Sequence, residues 1–281
     1  MHRLVVWLLA LAALVAAGCS GGEPSGASRG DATVVATAEF GQVGLLNVPV
    51  DSGASLMRAT RDATEVDTAF GGDFVEEMLG RRSDAGARTD WFWFVNGMLG
   101  ATSASEYTLR PGDVGWWDYR SWAGQMDVFA VVGAWPEPFV HGVAGRPPVV
   151  SADPPLAAAL RAAGARVATG PSGWRVRVGS DAELRRRDPV WARAMRDPTR
   201  AGAPGAVEGG RVTVLGQGGA GREAVPGARA VAVAVRTGDE PADGMLLAVA
   251  GLDGAAAQAA ARAIAARPAL LRLRYAVAFD G

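Results

Sequence analysis

The sequence predicts a mixed α+β protein whose folded region has two parts. Up to residue 122 short strand-like runs surround a single helix, whereas after residue 148 strands alternate with helices. The charge changes sign between the two parts: residues 31–145 hold 16 acidic residues against 7 arginines, and residues 146–281 hold 12 against 19. With 281 residues, 49% of them hydrophobic, the chain can bury a core in each part.

The first part, residues 32–132, is predicted to be a small sheet with one helix. Ser52 is the expected N-cap of that helix, which runs to about residue 62. Asn96 and Gly97 form a strong hairpin signal because both residue types tolerate positive φ, and residues 109–113 mark a second tight turn. The predicted strands are 33–38, 44–50, 74–79, 90–95 and 114–122.

Four motifs follow one another in this part. They are Gly-Gly-Asp-Phe-Val at 71–75, Asp-Trp-Phe-Trp-Phe-Val-Asn-Gly at 90–97, Tyr-Thr-Leu-Arg-Pro-Gly-Asp at 107–113 and Trp-Trp-Asp-Tyr-Arg at 116–120. Together they resemble DUF4430, a bacterial domain of unknown function that is similar to the carboxy-terminal β-domain of transcobalamin and intrinsic factor. The resemblance implies a β-grasp-like sheet with one helix across it.

The same resemblance implies a ligand class. In the vertebrate relatives this domain covers one side of bound cobalamin, and a separate helical domain covers the other. No such helical domain is predicted here, so the resemblance implies at most weak binding of a corrinoid. The segment 131–139 also resembles actinobacterial lipoproteins that carry this domain.

Residues 133–148 are rich in proline and glycine and are predicted to be a linker or a strapped interdomain segment. The second part, 149–281, is predicted to be an α/β sandwich, with a helix that Asp153 caps and another, 254–266, that Asp253 caps. Its predicted strands are 149–151, 174–178, 211–215, 230–235, 245–250 and 275–279.

The amino terminus predicts export and lipidation. His2 and Arg3 precede an apolar run, 4–15, that is too short to span a bilayer and is typical of a secretory signal. Small residues at 16–18 then lead to Cys19, which resembles the lipobox of bacterial lipoproteins. The resemblance implies cleavage after residue 18 and acylation of Cys19, with palmitate among the acyl groups. The alternative is an ordinary cleaved signal that leaves a free thiol.

Residues 19–31, rich in Ser, Gly and Pro, are predicted to be a flexible tether. Export argues against a nucleic-acid partner, and the tether is expected to hold the chain at the extracytoplasmic face of the cell membrane. Cys19 is the only cysteine, and His141, predicted to be exposed, is the only histidine after removal of the signal. These counts disfavour a metal site, a catalytic triad and any cofactor, so we expect a protein that is not an enzyme.

One glycine-rich motif suggests a nucleotide site, but the residues after it favour a hairpin loop. Gly-Gln-Gly-Gly-Ala-Gly at 216–221 fits the dinucleotide-binding glycine pattern, with Asp239 about 20 residues later. That site requires a helix amino terminus directed at the pyrophosphate, and Pro226 with Gly227 would break such a helix after about one turn. We interpret the segment as a hairpin loop.

The aromatic residues are the strongest candidate for a binding surface. Six of the nine tryptophans lie between residues 91 and 135, and rings alternate along 91–94, so both faces of this strand are apolar. One face must pack on the helix, and the other must meet the second part, a partner or a ligand. The predicted ligand-binding residues are Trp91, Trp93, Asn96, Trp116, Trp117, Tyr119 and Trp122.

Nearby acidic residues have structural interpretations. Asp90 and Asp113 lie beside turns and are expected to accept hydrogen bonds there, and Asp118 can pair with Arg120 on the same strand face. The leading hypothesis is therefore a non-enzymatic envelope lipoprotein that binds a small molecule or a partner such as a transporter, as an accessory to an uptake system. The alternative is a scaffolding lipoprotein whose tryptophans pack between the two parts. A hydrolase is the least favoured reading.

Overall fold

The computed structural model describes residues 30–280. The predicted signal, Cys19 and nearly all of the tether lie outside this range. Within it the protein is mixed α+β, with four sheets and few helices, as the sequence predicts.

The first unit contains eight strands and one helix. They are β1 (Ala32–Ala38), β2 (Val43–Val50), α1 (Leu56–Ala63), β3 (Val66–Ala69), β4 (Phe74–Met78), β5 (Arg81–Arg82), β6 (Thr89–Val95), β7 (Met98–Leu99) and β8 (Val114–Ser121). Five of them form the main sheet in the order β2-β1-β8-β6-β7, in which β1 and β8 are parallel and the other neighbours are antiparallel. This is the β-grasp-like arrangement that the resemblance implies.

Helix α1 crosses this sheet and begins three residues later than predicted. Its N-cap is Ser55, whose hydroxyl accepts a hydrogen bond from the amide of Arg58, so the assignment of the cap to Ser52 is wrong. The backbone amide and the hydroxyl of Ser52 both donate to the carboxylate of Asp31 instead. Where β8 passes under the helix it carries Gly115, and a Cβ there would lie 2.4 Å from Leu56 Cδ1. The glycine therefore permits close packing of helix and strand.

The second unit alternates strands and helices. It comprises β9 (Val149–Ala152), α2 (Leu156–Ala162), β10 (Arg166–Val167), β11 (Arg175–Ser180), α3 (Asp181–Arg187), α4 (Pro189–Ala194), β12 (Gly205–Glu208), β13 (Arg211–Leu215), β14 (Arg222–Ala224), β15 (Ala228–Arg236), β16 (Met245–Gly251), α5 (Gly254–Ala266) and β17 (Ala276–Asp280). The six-stranded sheet has the order β10-β9-β11-β16-β15-β17. Its first four strands are parallel, and β15 is antiparallel to both β16 and β17.

Both faces of this sheet are covered, which explains why every residue of β16 is buried. Helices α2 and α5 pack on one face, and α3, α4 and the small sheet β12-β13-β14 pack on the other. Asp253 caps α5 as predicted, with its carboxylate accepting from the amide of Ala256. Asp153 does not cap α2, because its carboxylate accepts from the amide of Val178 and pairs with Arg187.

The segment predicted to be a linker, 133–148, is packed into the protein over most of its first half. Phe139 is fully buried in the core of the second unit, and Trp135 and Val140 pack against the same core. The preceding residues Val128 and Val131 contribute to a further cluster that joins the two units. Of the two readings, the strapped interdomain segment describes this arrangement. Independent folding of the two units stays a prediction.

Candidate functional site

The aromatic strands β6 and β8 present two different faces. On one face Trp91, Trp93, Trp117 and Tyr119 pack with helix α1 in the core of the first unit. The indole Nε1 of Trp117 donates to the Thr60 hydroxyl of that helix over 2.9 Å. We call this the helix face.

The opposite face, which we call the junction face, packs on the second unit. The rings of Phe94, Trp116 and Tyr275 meet there with centroid distances of 5.5 to 5.9 Å. Leu273, which like Tyr275 precedes β17, packs on the same cluster. The sequence predicted that something must cover this second face, and the chain's own carboxy-terminal region covers it.

The seven predicted ligand-binding residues divide by exposure. Four are buried by their own chain: Trp91, Asn96, Trp116 and Trp117. In this conformation those four offer no surface to a ligand. The other three are half-buried: Trp93, Tyr119 and Trp122. A role for any of the seven in binding stays a prediction, and for the buried ones it would require the covering elements to move away.

The junction face also contains two buried charges that do not form a direct ion pair. The carboxylate of Asp118 accepts from the hydroxyl of Thr37 (2.5 Å) and from the amides of Phe40 and Gly41 (3.1 Å each). The guanidinium of Arg120 donates to two loop carbonyls and lies 3.6 Å from the centroid of the Phe92 ring. Burial raises the pKa of Asp118 to about 6, and the Thr37 hydrogen bond and the nearby Arg120 act in the opposite direction.

Asn96 and Asp113 form a structural network beside the hairpin turn. The Asn96 side-chain amide donates to Asp113 and to the carbonyl of Gly142, both over 2.7 Å. Asp113 also accepts from the Tyr107 hydroxyl and from the amide of Arg110, as predicted for a turn-stabilising carboxylate. The position of Asn96 in the motif therefore has a physical reason that needs no ligand, because its amide ties the strapped segment to the first unit.

His141 pairs with a buried glutamate. Its Nδ1 lies 2.6 Å from Oε1 of Glu137, and its backbone amide donates to the other oxygen. As predicted, the imidazole is exposed, at 48% for the side chain. A carboxylate that orients an imidazole supplies two of the three members of a hydrolytic triad, but within residues 30–280 no Ser or Thr hydroxyl hydrogen-bonds to this ring. Burial raises the pKa of Glu137, against the influence of His141.

The glycine-rich segment 216–221 is a hairpin connection between β13 and β14, as interpreted from the sequence. A strand, and not a helix, follows it, so the geometry that holds a pyrophosphate is missing. Gly219 has φ of +70°, and a Cβ there would lie 3.1 Å from the Phe40 ring. Gly124 of the first unit is closer still, since a Cβ there would lie 2.3 Å from the carbonyl oxygen of Gly219. Gly219 and Gly124 therefore permit close packing between the two units.

A crevice of about 510 Å³ lies beside the carboxyl ends of β9 and β10, on the side of the sheet that α3 and α4 cover. Helix α2 follows β9 on one face of the sheet, and α3 follows β11 on the other. Crevices at such divergence points are common ligand sites in open α/β sheets. The polar side chains of this crevice are Ser151, Asp153, Thr169, Ser172, Arg175, Arg177, Arg187 and Asp188. We call it the strand-end crevice.

The charges of the strand-end crevice fix one another. Arg175 Nε lies 2.7 Å from Asp188 Oδ2, and Arg177 Nη1 lies 3.5 Å from Asp153 Oδ1. Arg187 also pairs with Asp153. Burial lowers the pKa of Arg177, while both aspartates act in the opposite direction. Three cations and two anions in one network give a rigid site with a small positive excess.

The alternation of arginine in 174–178 is visible in the sequence, but the ion-pair network that these arginines form is not. That pattern was interpreted as the polar face of a half-buried strand, and Arg175 and Arg177 do share one face of β11. Their partners Asp153 and Asp188 come from separate connections, so nothing local predicts the network. Helices α3 and α4, which bring Arg187 and Asp188 to the site, were not predicted. The signal for α3 was a capping box, Ser180 with Glu183 three residues on.

Two features are absent from residues 30–280. Among residues 30–280, none of the helices combines the length and the apolar character that crossing a membrane requires. In the same range no three His, Cys, Asp or Glu side chains are grouped so that they could hold a metal ion.

Comparison with known proteins identifies one domain. No curated protein matches this chain. A crystal structure of "a putative metal binding protein" from Ruminococcus gnavus ATCC 29149 is similar over 32% of this chain and 95% of its own, with 14% identity and a TM-score of 0.27. The family model for a domain of unknown function, DUF4430, matches residues 53–121, which run from just before α1 to the end of β8. These residues of the first unit therefore carry a DUF4430 domain.

Proposed function

We propose that this chain is a lipid-anchored, non-enzymatic protein of the outer face of a bacterial membrane that binds a small polar ligand in the strand-end crevice. The observation that carries the binding role is the fixed network of Arg175, Arg177 and Arg187 with Asp153 and Asp188 around a crevice of about 510 Å³. Side chains held by one another lose little freedom when a ligand arrives, which favours binding.

The chemistry of the crevice favours a ligand with both anionic and hydroxyl groups. The guanidiniums match carboxylate oxygens, and the exposed hydroxyl of Thr169 matches sugar-like groups, whereas the hydroxyls of Ser151 and Ser172 already hydrogen-bond within the protein. An amino acid or a sugar acid is of the right size and polarity for this volume. A ligand of this kind would suit an accessory to an uptake system, with a transporter as the partner.

The binding role is tested on the purified full-length chain. L-glutamate, glucuronate and cyanocobalamin are titrated, with thermal denaturation and calorimetry as readouts. We expect the first two to raise the melting temperature, and Arg177→Met to abolish the effect. Arg262→Met on the exposed side of α5 is the matched control, because this arginine forms no ion pair with any other residue of 30–280. The crevice is excluded as the site if Arg177→Met binds as well as the parent.

The anchor is tested separately through Cys19. We expect Cys19→Ala to move the protein from the membrane fraction to the soluble fraction, because an acyl chain stabilises membrane binding by about 0.8 kcal/mol per buried methylene. Metabolic labelling with a palmitate analogue should mark the parent and not the variant. A variant that stays membrane-bound after a salt wash would overturn the proposed anchor. That result would not bear on ligand binding in the strand-end crevice.

A second candidate function is scaffolding, and one observation favours it. Trp116 and Phe94 are fully buried between the two units, so these rings act as packing in this conformation. A lipoprotein in which the DUF4430 domain serves to hold the second unit would need no ligand on its aromatic strands. Cyanocobalamin is therefore the informative probe for the first unit: a saturable calorimetric signal with it that Trp93→Ala removes would favour a corrinoid site there over scaffolding.

A further inference from the structure

A second cleft, about 520 Å³ in volume, lies where the two units meet at the end of α4. Arg193 is in the last turn of α4, Arg196 and Arg200 follow it, and Arg236 ends β15. The ring of Phe129, from the segment before the junction, completes the wall. We call it the arginine cleft.

Within residues 30–280 the four guanidiniums of the arginine cleft form no ion pair and no side-chain hydrogen bond. Among residues 30–280 none of these four lies within 4.0 Å of a carboxylate, and none donates a side-chain hydrogen bond to the protein. The two acidic residues in the lining do not pair directly with these guanidiniums, and Asp197 accepts from the backbone amide of Arg200. This contrasts with the strand-end crevice, where every arginine has an aspartate.

The charge of the cleft follows from its lining. Four arginines against Asp197 and Asp239 give an excess of two positive charges around one concave surface. Arg193, Arg196 and Arg200 are exposed, so water screens their mutual repulsion, but a concave surface with a positive excess still attracts anions. Each guanidinium carries five donors in a planar fork that suits oxyanions.

Part of the lining of the cleft is apolar. Val190, Ala194 and Val235 line it, and the guanidinium of Arg236 lies 4.2 Å from the centroid of the Phe129 ring. A Cβ at Gly202 would lie 2.7 Å from that ring, so the chain holds Phe129 closely from behind. A ligand with a compact anionic group and an adjoining apolar part fits such a surface.

We infer that the arginine cleft binds the phosphate group of a phosphate-bearing molecule. A carboxylate has two oxygens and one charge, whereas a phosphate has three or four oxygens and up to two charges, which match the four forks and the excess of two. The source of the phosphate is either a soluble phosphate monoester or the monoester headgroup of phosphatidic acid. The inference does not depend on the strand-end crevice.

The experiment uses the purified full-length chain and three probes in calorimetric titrations at low ionic strength. They are inorganic phosphate, dihexanoyl phosphatidic acid below its micelle concentration, and dihexanoyl phosphatidylcholine as the zwitterionic comparison. Binding of phosphate and phosphatidic acid with similar affinity indicates a soluble monoester, and much tighter binding of phosphatidic acid than of either other probe indicates a lipid headgroup. Both results support the site, and salt should weaken binding in each.

The variants are Arg196→Gln with Arg200→Gln, and Arg236→Gln alone. We expect about tenfold weaker binding for each arginine removed, the loss typical of one hydrogen bond to a charged group. The matched control is Arg262→Gln with Arg267→Gln, two exposed arginines of the α5 region outside the cleft. Unchanged circular dichroism shows that each variant folds. The inference is overturned if neither anionic probe binds the parent, or if cleft and control variants bind equally well.

Discussion

The two faces of the aromatic strands β6 and β8 are both apolar, but they are covered in different ways. The helix face, with Trp91 and Trp117, is closed by α1 and by other parts of the first unit. The junction face, with Phe94 and Trp116, is closed by residues such as Tyr275, about 160 positions further along the chain. The first face completes a domain, and the second joins two units.

The buried charges occur on the junction face. Asp118 and Arg120 are both almost fully buried there, and each depends on partners from loops that the neighbouring unit holds in place. A charge that leaves water is tolerated only in one specific arrangement of donors and acceptors. The junction is therefore more specific in geometry than an apolar contact of the same area, and its disruption should affect both units.

The largest effect is expected from Trp116→Ala. This indole is fully buried at the centre of the junction cluster, and its Nε1 donates to Thr37 over 2.7 Å. We expect the variant to lose about 4 kcal/mol of unfolding free energy, the range for removal of a large buried ring. Urea denaturation followed by circular dichroism measures the loss. Equal losses for both units would show that the junction couples them, and protection of one unit in limited proteolysis would show independent folding.

A smaller loss is expected from Arg120→Met. The methionine keeps much of the volume beside Phe92 but removes the donors to the carbonyls of Gln125 and Met126. Two buried acceptors are left without partners, and Asp118 loses a nearby cation, so we expect a cost of about 3 kcal/mol. The same urea experiment applies. A variant as stable as the parent would mean that the buried guanidinium makes no net contribution to the free energy of unfolding. This happens when the free-energy cost of burying the charge equals the stabilisation from its interactions.

The third prediction concerns Asp118 and pH. Burial raises the pKa of Asp118 to about 6 in the folded protein, above the value of about 3.9 in unfolded chains. The folded state then holds the proton more tightly than the unfolded chain does. The contribution of Asp118 to the free energy of unfolding is therefore fully present below about pH 4 and is lost as the pH rises through 6. The facing groups are Thr37, the amides of Phe40 and Gly41, Arg120 and the hydroxyl of Tyr275, whose pKa burial raises as well.

The test compares the parent with Asp118→Asn across pH 4 to 7. As the pH rises, the parent should lose about 2 to 3 kcal/mol of unfolding free energy relative to Asp118→Asn, because only the parent must bury a charged carboxylate. Other titrating groups are common to both proteins and cancel in the difference. A difference that does not change with pH would show that Asp118 titrates at an ordinary value.

Local signals predicted much of the fold. Asn96 and Gly97 both have positive φ, as their hairpin required, and Asp253 caps α5 as expected. Two predicted helix N-caps, Ser52 and Asp153, were wrong because distant residues bind their side chains. Ser52 and Ser55 are equally good caps by sequence, and the distant Asp31 decides by binding Ser52. Likewise Asp153 is drawn away from α2 by Val178 and Arg187.

The candidate sites were less predictable than the fold. The alternation of rings along 91–94 showed correctly that both faces needed cover, since this follows from side-chain direction alone. It could not show that Tyr275 would be the cover, because that contact depends on how the second unit packs. The strand-end crevice and the arginine cleft each draw residues from several elements, and no local pattern brings them together.

The smallest effect is expected from Trp93→Ala, which also tests the role of the helix face in binding. Trp93 is half-buried, its ring lies 5.8 Å from that of Tyr107, and Gly100 lies flat against it. Because part of this ring already contacts water, we expect a loss of only about 1 to 2 kcal/mol. The folded variant can therefore be used in pull-down and titration experiments, with the buried Trp91→Ala as the comparison. If Trp93→Ala binds every ligand and partner that the parent binds, Trp93 contributes only to packing. If the variant remains folded but no longer binds one of them, the helix face contributes to binding.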